Sequence, residues 1–225
     1  MNNYRDLLIG DFALTNEEIA SFDLYKEHLE KMSQVMNLTT IKGDDIYIKH
    51  FYDSLFLYKV NPTIDSLMDI GTGAGFPGVV YAIKNPKTKV LLVEPIKKRC
   101  QFLSEIETLL NLKNTVIINE RSENITQMVN YATCRAVAKI NILLELIIPR
   151  LNVGGIFYCL KSGTYLTELN EAKNALKELS VEVEHIYRFS LPDNLGERVI
   201  IAFKKQQETK KIYPRKYANI VKKPL

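Results

Sequence analysis

A strand that runs into a glycine loop and reopens as a helix commits a chain to very few folds, and residues 69–78 have that form. Four of the ten glycines fall within eight residues, at Gly71, Gly73, Gly75 and Gly78, directly after an apolar run containing Ile64, Leu67, Met68 and Ile70. Such a loop lets backbone approach a ligand closely and turns the free amides of the next helix towards it. Doubly wound folds bind nucleotides at this kind of turn. Residues 73–78 also satisfy the dinucleotide pattern G-x-G-x-x-G. Asp69 shifts the reading, because a carboxylate at the strand tip crowds a pyrophosphate but suits a cationic or amine-bearing ligand. S-adenosylmethionine, with a sulfonium, an α-amino group and no phosphate, is such a ligand. Asp69, Gly71, Gly73 and Gly75 are therefore the first candidate cofactor residues.

A second apolar run, Val90-Leu91-Leu92-Val93, ends in Glu94, about twenty residues past the loop, where these folds place an acid on ribose hydroxyls. NAD proteins use the same device, so Glu94 indicates a nucleoside without naming it. With 46% hydrophobic and 25% charged residues, the chain has the balance of a globular domain large enough to bury a core. No apolar run approaches the roughly 18 residues of a membrane helix, and Met1-Asn2-Asn3-Tyr4-Arg5-Asp6 lacks the basic-then-apolar pattern of a signal peptide. Cys100, Cys134 and Cys159 sit in apolar contexts and read as reduced core residues of a cytoplasmic protein. His28, His50 and His185 have no metal-ligand spacing, so no metal is expected.

The charge is unevenly placed. From Lys204 to Leu225 seven lysines and Arg215 face a single acid, Glu208, a net +7 that leaves −3 on the remaining 203 residues of a chain totalling +4. A cationic segment with Tyr213 and Tyr217 suits phosphates and stacked bases, with Lys204, Lys205, Lys210, Lys211, Arg215 and Lys216 as candidate RNA contacts. The alternative is a solvated terminus.

Residues 1–62 read as an N-terminal helical extension: Thr15-Asn16-Glu17-Glu18 is a capping-box signature, and Ile19, Phe22, Tyr25, Leu29, Met32 and Met36 follow at helical spacing. After a break at Asn37-Leu38-Thr39-Thr40, Ile48, Phe51, Tyr52 and Leu55 mark a second helical face. Residues 63–204 alternate strand and helix, with strands expected at 64–70, 90–94, 115–119, 131–137, 154–161, 181–189 and 197–203 and helices at 96–111 and 139–150. Only Leu191-Pro192-Asp193-Asn194 joins the last two strands, too short for a crossover, so they pair antiparallel. The expected fold is α/β: a Rossmann-like sheet of the class I methyltransferase type, mostly parallel with a C-terminal antiparallel strand, carrying N-terminal helices and a basic tail at 205–225.

Several short motifs then occur in order from about residue 22 to the C-terminus. They are Asn37-Leu38-Thr39, His50-Phe51-Tyr52-Asp53-Ser54, the glycine loop, Glu94-Pro95-Ile96-Lys97-Lys98-Arg99 with Phe102-Leu103, and Cys134-Arg135-Ala136. Leu160-Lys161-Ser162-Gly163, Glu197-Arg198 and Tyr213-Pro214-Arg215-Lys216 complete the set. Together they resemble the RsmG (GidB) family, whose members methylate a guanine at N7 in bacterial small-subunit ribosomal RNA using S-adenosylmethionine. Met32-Ser33 stands where relatives usually carry Trp-Asn.

The resemblance implies cofactor contacts at Gly71 and Phe76, at Glu94 on the ribose, at Ser122 and Glu123 beside the adenine, and at Arg135. It implies 16S rRNA, in the small ribosomal subunit, as partner. Guanine N7 carries an in-plane lone pair and no proton, so no general base is expected, and positioning supplies most of the acceleration. Lys161 and Arg198 then read as phosphate clamps or substrate-orienting donors. Two other classes compete: a non-catalytic RNA-binding module on the same fold, and an NAD-dependent oxidoreductase using the 73–78 pattern. The intact loop with Glu94 speaks against the first; Asp69 and the terminal hairpin speak against the second.

Overall fold

The computed structural model describes residues 3–225, so the first two residues of the expected 1–62 extension lie outside the described residues. Thr15 caps its helix as the sequence predicts: its hydroxyl accepts from the Glu18 amide and the Glu18 carboxylate accepts from the Thr15 amide. The helix it starts, α2 (Asn16–Ser33), follows α1 (Tyr4–Phe12) and buries Ile19, Phe22, Tyr25 and Leu29 on one face. Each such side chain contributes roughly 1.5–3 kcal/mol of apolar burial. The second helical face begins as a π-helical turn, Tyr47–Tyr52, and continues as α3 (Asp53–Val60).

Seven strands then form one sheet: β1 (Ser66–Ile70), β2 (Lys89–Val93), β3 (Thr115–Ile118), β4 (Val129–Arg135), β5 (Leu151–Lys161), β6 (Val181–Ser190) and β7 (Glu197–Lys205). Their order is β3-β2-β1-β4-β5-β7-β6, with β7 antiparallel to both neighbours and the other pairs parallel. The terminal pair is thus antiparallel, as the short connection requires. Between strands lie α4 (Gly78–Lys84), α5 (Lys97–Leu109), α6 (Ile140–Ile147), α7 (Tyr165–Glu171) and α8 (Lys173–Glu178), and α9 (Tyr217–Lys222) follows the sheet. The expected helix 139–150 is shorter because a 3-10 turn, Ile148–Arg150, takes over at Pro149, which cannot donate to a continuing helix.

Successive strand residues face opposite layers. Leu67, Val90 and Leu92 meet α2, α3, α4 and α5, whereas Met68, Ile70, Leu91 and Val93 meet α6, α8 and α9. Both faces are covered, which is why the parallel strands read as unbroken apolar runs.

The C-terminal segment departs most from expectation. Lys205 lies inside β7 at 1% exposure and donates to the Leu151 carbonyl at 2.6 Å. Beyond it, Ile220 is fully buried, and Tyr213, Tyr217 and Leu225 pack on the α6 side of the sheet. The segment packs on the fold and is not a solvated terminus.

Candidate functional site

The strand order reverses between β1 and β4, and two cavities open where those strands end. The smaller, of about 220 Å³, is walled by Gly71, Pro95, Ser122, Glu123, Val137, Leu146 and Tyr217, with Ile70, Val93 and Arg121. The larger, of about 520 Å³, is a polar cleft formed by Lys49, His50, Asp53, Arg135, Ala136, Lys161, Ser162, Glu168 and Arg198 over Ile41 and Leu160. Ala136 faces the cleft and Val137 faces the cavity, so one turn at the end of β4 divides them.

Of the glycine loop, Gly71 lines the smaller cavity. Gly71, Gly73 and Gly75 all have positive φ, at 68°, 60° and 97°. Their surroundings differ. A Cβ on Gly73 would meet nothing nearer than 3.9 Å, so the space beside it is open to a ligand. A Cβ on Gly71 would lie 2.8 Å from Val137, and one on Gly75 would lie 2.5 Å from the Tyr25 hydroxyl. Gly75 therefore admits the N-terminal helix: its absent side chain makes room for Tyr25 and Val79.

Asp69 is fully buried beneath the loop and does not face the cavity. One carboxylate oxygen, Oδ2, accepts from the Thr72 hydroxyl at 2.6 Å and the Gly78 amide at 2.8 Å, tying loop to helix. Its Oδ1 has no partner, and burial pushes its pKa up to about 6. Glu94, 2% exposed, accepts from the Gly73 amide at 3.1 Å and the Ile96 amide at 2.9 Å, which fixes its carboxylate against the glycine loop; its neighbours Val93 and Pro95 line the cavity and Glu94 itself does not. Ser122 and Glu123 follow β3 in a 3-10 turn on the opposite wall.

Phe76 and Arg135 belong to the cleft side. Phe76 is 5% exposed and lies between His50 and Tyr25, with the Arg135 guanidinium 4.9 Å from its ring centroid. Arg135 donates to Asp53 Oδ2 at 2.9 Å, the Lys49 carbonyl at 3.3 Å and His50 Nδ1 at 3.0 Å. Buried charge requires such partners. Because Nδ1 accepts, the imidazole proton is on Nε2, which donates to Thr39 Oγ1 at 2.7 Å. Burial, and then the Arg135 charge, push the His50 pKa down to about 3. His50 is neutral, with both ring nitrogens engaged.

Asp53, 8% exposed, also takes Arg198, whose Nε is 3.3 Å from Oδ1. Lys161 is held by the Ala138 carbonyl at 2.7 Å and by Glu168 at 2.6 Å. The cleft thus presents four cations against two carboxylates, a field suited to a polyanion. Of the expected RNA contacts in the tail, Lys204 pairs with Glu184, Lys210 with Glu178, and Arg215 with Glu145. Lys205 is buried, while Lys211 and Lys216 are exposed.

His50 and Asp53 carried no role in the sequence reading beyond membership of a motif. The usable signal was two polar residues three apart on an otherwise apolar helical face. In sequence Tyr217 belongs to the cationic tail, and nothing there joins it to Ser122 and Glu123.

The chain is similar to several known proteins. A family profile described as rRNA small subunit methyltransferase G matches residues 18–197. A ribosomal RNA small subunit methyltransferase G of Staphylococcus epidermidis is 40% identical over 221 residues, covering 94% of this chain and 92% of that protein. One from Carboxydothermus hydrogenoformans is 38% identical over 221 residues, covering 95% and 94%. Among solved structures, a SAM-dependent O-methyltransferase from Thermotoga maritima aligns with a TM-score of 0.55 at 20% identity, covering 81% of this chain and 73% of that one. The TYW2 protein of M. jannaschii, solved in complex with AdoMet, aligns at 0.54 and 14% identity, covering 68% and 76%. These two share the fold.

Proposed function

The chain belongs to the rRNA small subunit methyltransferase G family, and on that premise we propose that it methylates N7 of a guanine in 16S ribosomal RNA, with S-adenosylmethionine as methyl donor. The observation that carries the reading is the division of the two cavities by the Arg135–Ala136–Val137 turn, which sets a nucleoside-sized space directly beside a cationic cleft.

The residues present suit the cofactor. Gly73 leaves open space beside the loop, Gly71 lines the cavity with backbone alone, the fixed Glu94 carboxylate has lone pairs left for ribose hydroxyls, and Ser122 and Glu123 offer polar atoms to the adenine edge. The cofactor supplies an electrophilic methyl group on a sulfonium.

The protein's part is to hold the acceptor. Arg198 and Lys161 orient the nucleotide through its phosphates or base oxygen at the cleft rim. Asp53 fixes Arg135 and Arg198 against each other, so less side-chain freedom is lost on binding. His50 takes no proton, because its one accepting nitrogen already holds Arg135. An acceptor with a free lone pair needs none removed. Lys211 and Lys216 extend the cationic surface to RNA beyond the target base. No helix among the described residues is long and apolar enough to cross a membrane.

Mass mapping of 16S RNA from cells with and without this protein tests the reading. The expected result is one guanine whose 7-methyl mark appears only with the intact protein; identical RNA from both would reject it.

A further inference from the structure

We infer that the C-terminal segment is a working wall of the cofactor cavity, with Tyr217 closing its adenine end; this rests on the cofactor reading proposed above. Tyr217 shares the cavity wall with Pro95, Ser122 and Glu123, although it lies in the segment whose charge suggested RNA.

Its position there is built rather than incidental. Two residues earlier, Arg215 makes three hydrogen bonds to Glu145: its amide and Nε to Oε1 at 3.1 and 2.7 Å, and its NH2 group to Oε2 at 2.5 Å. Glu145 is fully buried on α6, and the next residue, Leu146, is itself part of the cavity wall. On the far side of Tyr217, Ile220 is fully buried in the same core as α6. An ion pair before the tyrosine and an apolar anchor after it therefore fix the ring relative to the helix that forms the cavity side.

The chemistry of the place selects the ligand. Pro95, Val137 and Leu146 give apolar surfaces, while Ser122 and Glu123 give polar atoms at one edge. A flat heteroaromatic with an exocyclic amine matches both. Aromatic stacking on a base is sequence-independent and strong enough to change affinity about tenfold or more. The outer side of the same segment carries Lys211, Lys216, Lys222 and Lys223, all exposed.

The chain contains no tryptophan, so Tyr217→Trp introduces a single reporter at the cavity. Its emission should change on adding S-adenosylhomocysteine or adenosine, and not on adding methionine. Calorimetry should show Tyr217→Ala weakening S-adenosylhomocysteine and adenosine by a similar factor, roughly tenfold, with Tyr217→Phe within about twofold of wild type. Unchanged emission, or Tyr217→Ala binding both ligands as wild type does, overturns the inference. If wild type binds neither ligand, the cofactor reading itself fails. Should Tyr217→Ala not fold, the Tyr217→Trp emission and the Tyr217→Phe affinity decide alone.

Discussion

The imidazole of His50 lies parallel to the ring of Phe76, with centroids 4.5 Å apart and 10° between the planes. Arg135 packs over the same ring and donates to the same imidazole. A protonated His50 would set a second cation against that guanidinium and lose its accepting nitrogen. Neutrality is a condition of the arrangement.

The methyl-transfer step should accordingly show no inflection near neutral pH from His50. Single-turnover methylation of small subunits, measured across pH, checks it. His50→Gln should retain that step within about tenfold of wild type if it folds, since no proton transfer is lost. A steep pH dependence abolished by His50→Gln would require an acceptor that loses a proton.

Stability should carry the same signature. His50 has its folded pKa depressed from 6.5 to about 3, so its contribution is present above about 6.5 and is lost as pH falls towards 3. Asp69 acts in the opposite sense: with its pKa raised from 3.8 to about 6, the cost of its buried charge is relieved as pH falls below 6. Urea unfolding at about pH 7 and about pH 5 should show wild type losing more stability on acidification than His50→Gln. Equal changes would mean that His50 is charged in the folded protein.

Two neighbouring glycines should separate binding from folding. Gly73→Ala adds a side chain in open space at a left-handed backbone, costing roughly 1–2 kcal/mol of stability while obstructing the cofactor's approach. Gly75→Ala carries similar strain and also drives a Cβ into the Tyr25 hydroxyl and Val79. Gly75→Ala should lower stability more, and Gly73→Ala should lower S-adenosylhomocysteine affinity more. Calorimetric titration and thermal unfolding of both variants would expose the reverse ranking.

Arg198→Ala should reduce single-turnover methylation by about 1.5–3 kcal/mol, the range for a hydrogen bond from a charged donor. Asp53 keeps Arg135 when Arg198 is removed, so the melting temperature should move little. A large loss of stability with unchanged turnover would make Arg198 structural.

The tail's charge predicts less RNA binding than its count suggests. Lys211→Ala and Lys216→Ala should each flatten the slope of log affinity against log salt by about 0.7, the single-strand value per contact. Arg215→Ala should instead destabilise the fold by up to about 3 kcal/mol, because it leaves the buried Glu145 carboxylate without its countercharge and with the amide of residue 215 in place. Filter binding over a salt series and chemical denaturation distinguish the two behaviours.

The sheet was legible because each parallel strand is an apolar run and the loop after β1 is glycine-rich; both are local signals. The π-helical turn was not, since Ile48, Phe51, Tyr52 and Leu55 fit an α-helical face equally well. Asp69 stands at the strand tip that the apolar run marks, but composition cannot show that Thr72 and Gly78 fold back onto one of its oxygens. The partners of the tail's cations are illegible for a related reason. Glu145, Glu178 and Glu184 lie 70, 32 and 20 residues from the cations they bind, and a count of charge along the chain hides pairs made across the fold.

The place of β7 between β5 and β6 has a consequence for synthesis. Each of those two strands takes it as a neighbour, and β6 has no other. During translation β6 emerges first and finds no seat, while the edge of β5 stands open with its backbone unpaired, a template for association with other chains. The sheet can close only once β7 has left the ribosome and slipped between two strands made before it. A chain stalled short of β7 would leave β5 with an open edge and β6 with no partner at all, besides the edge at β3 that the finished sheet keeps.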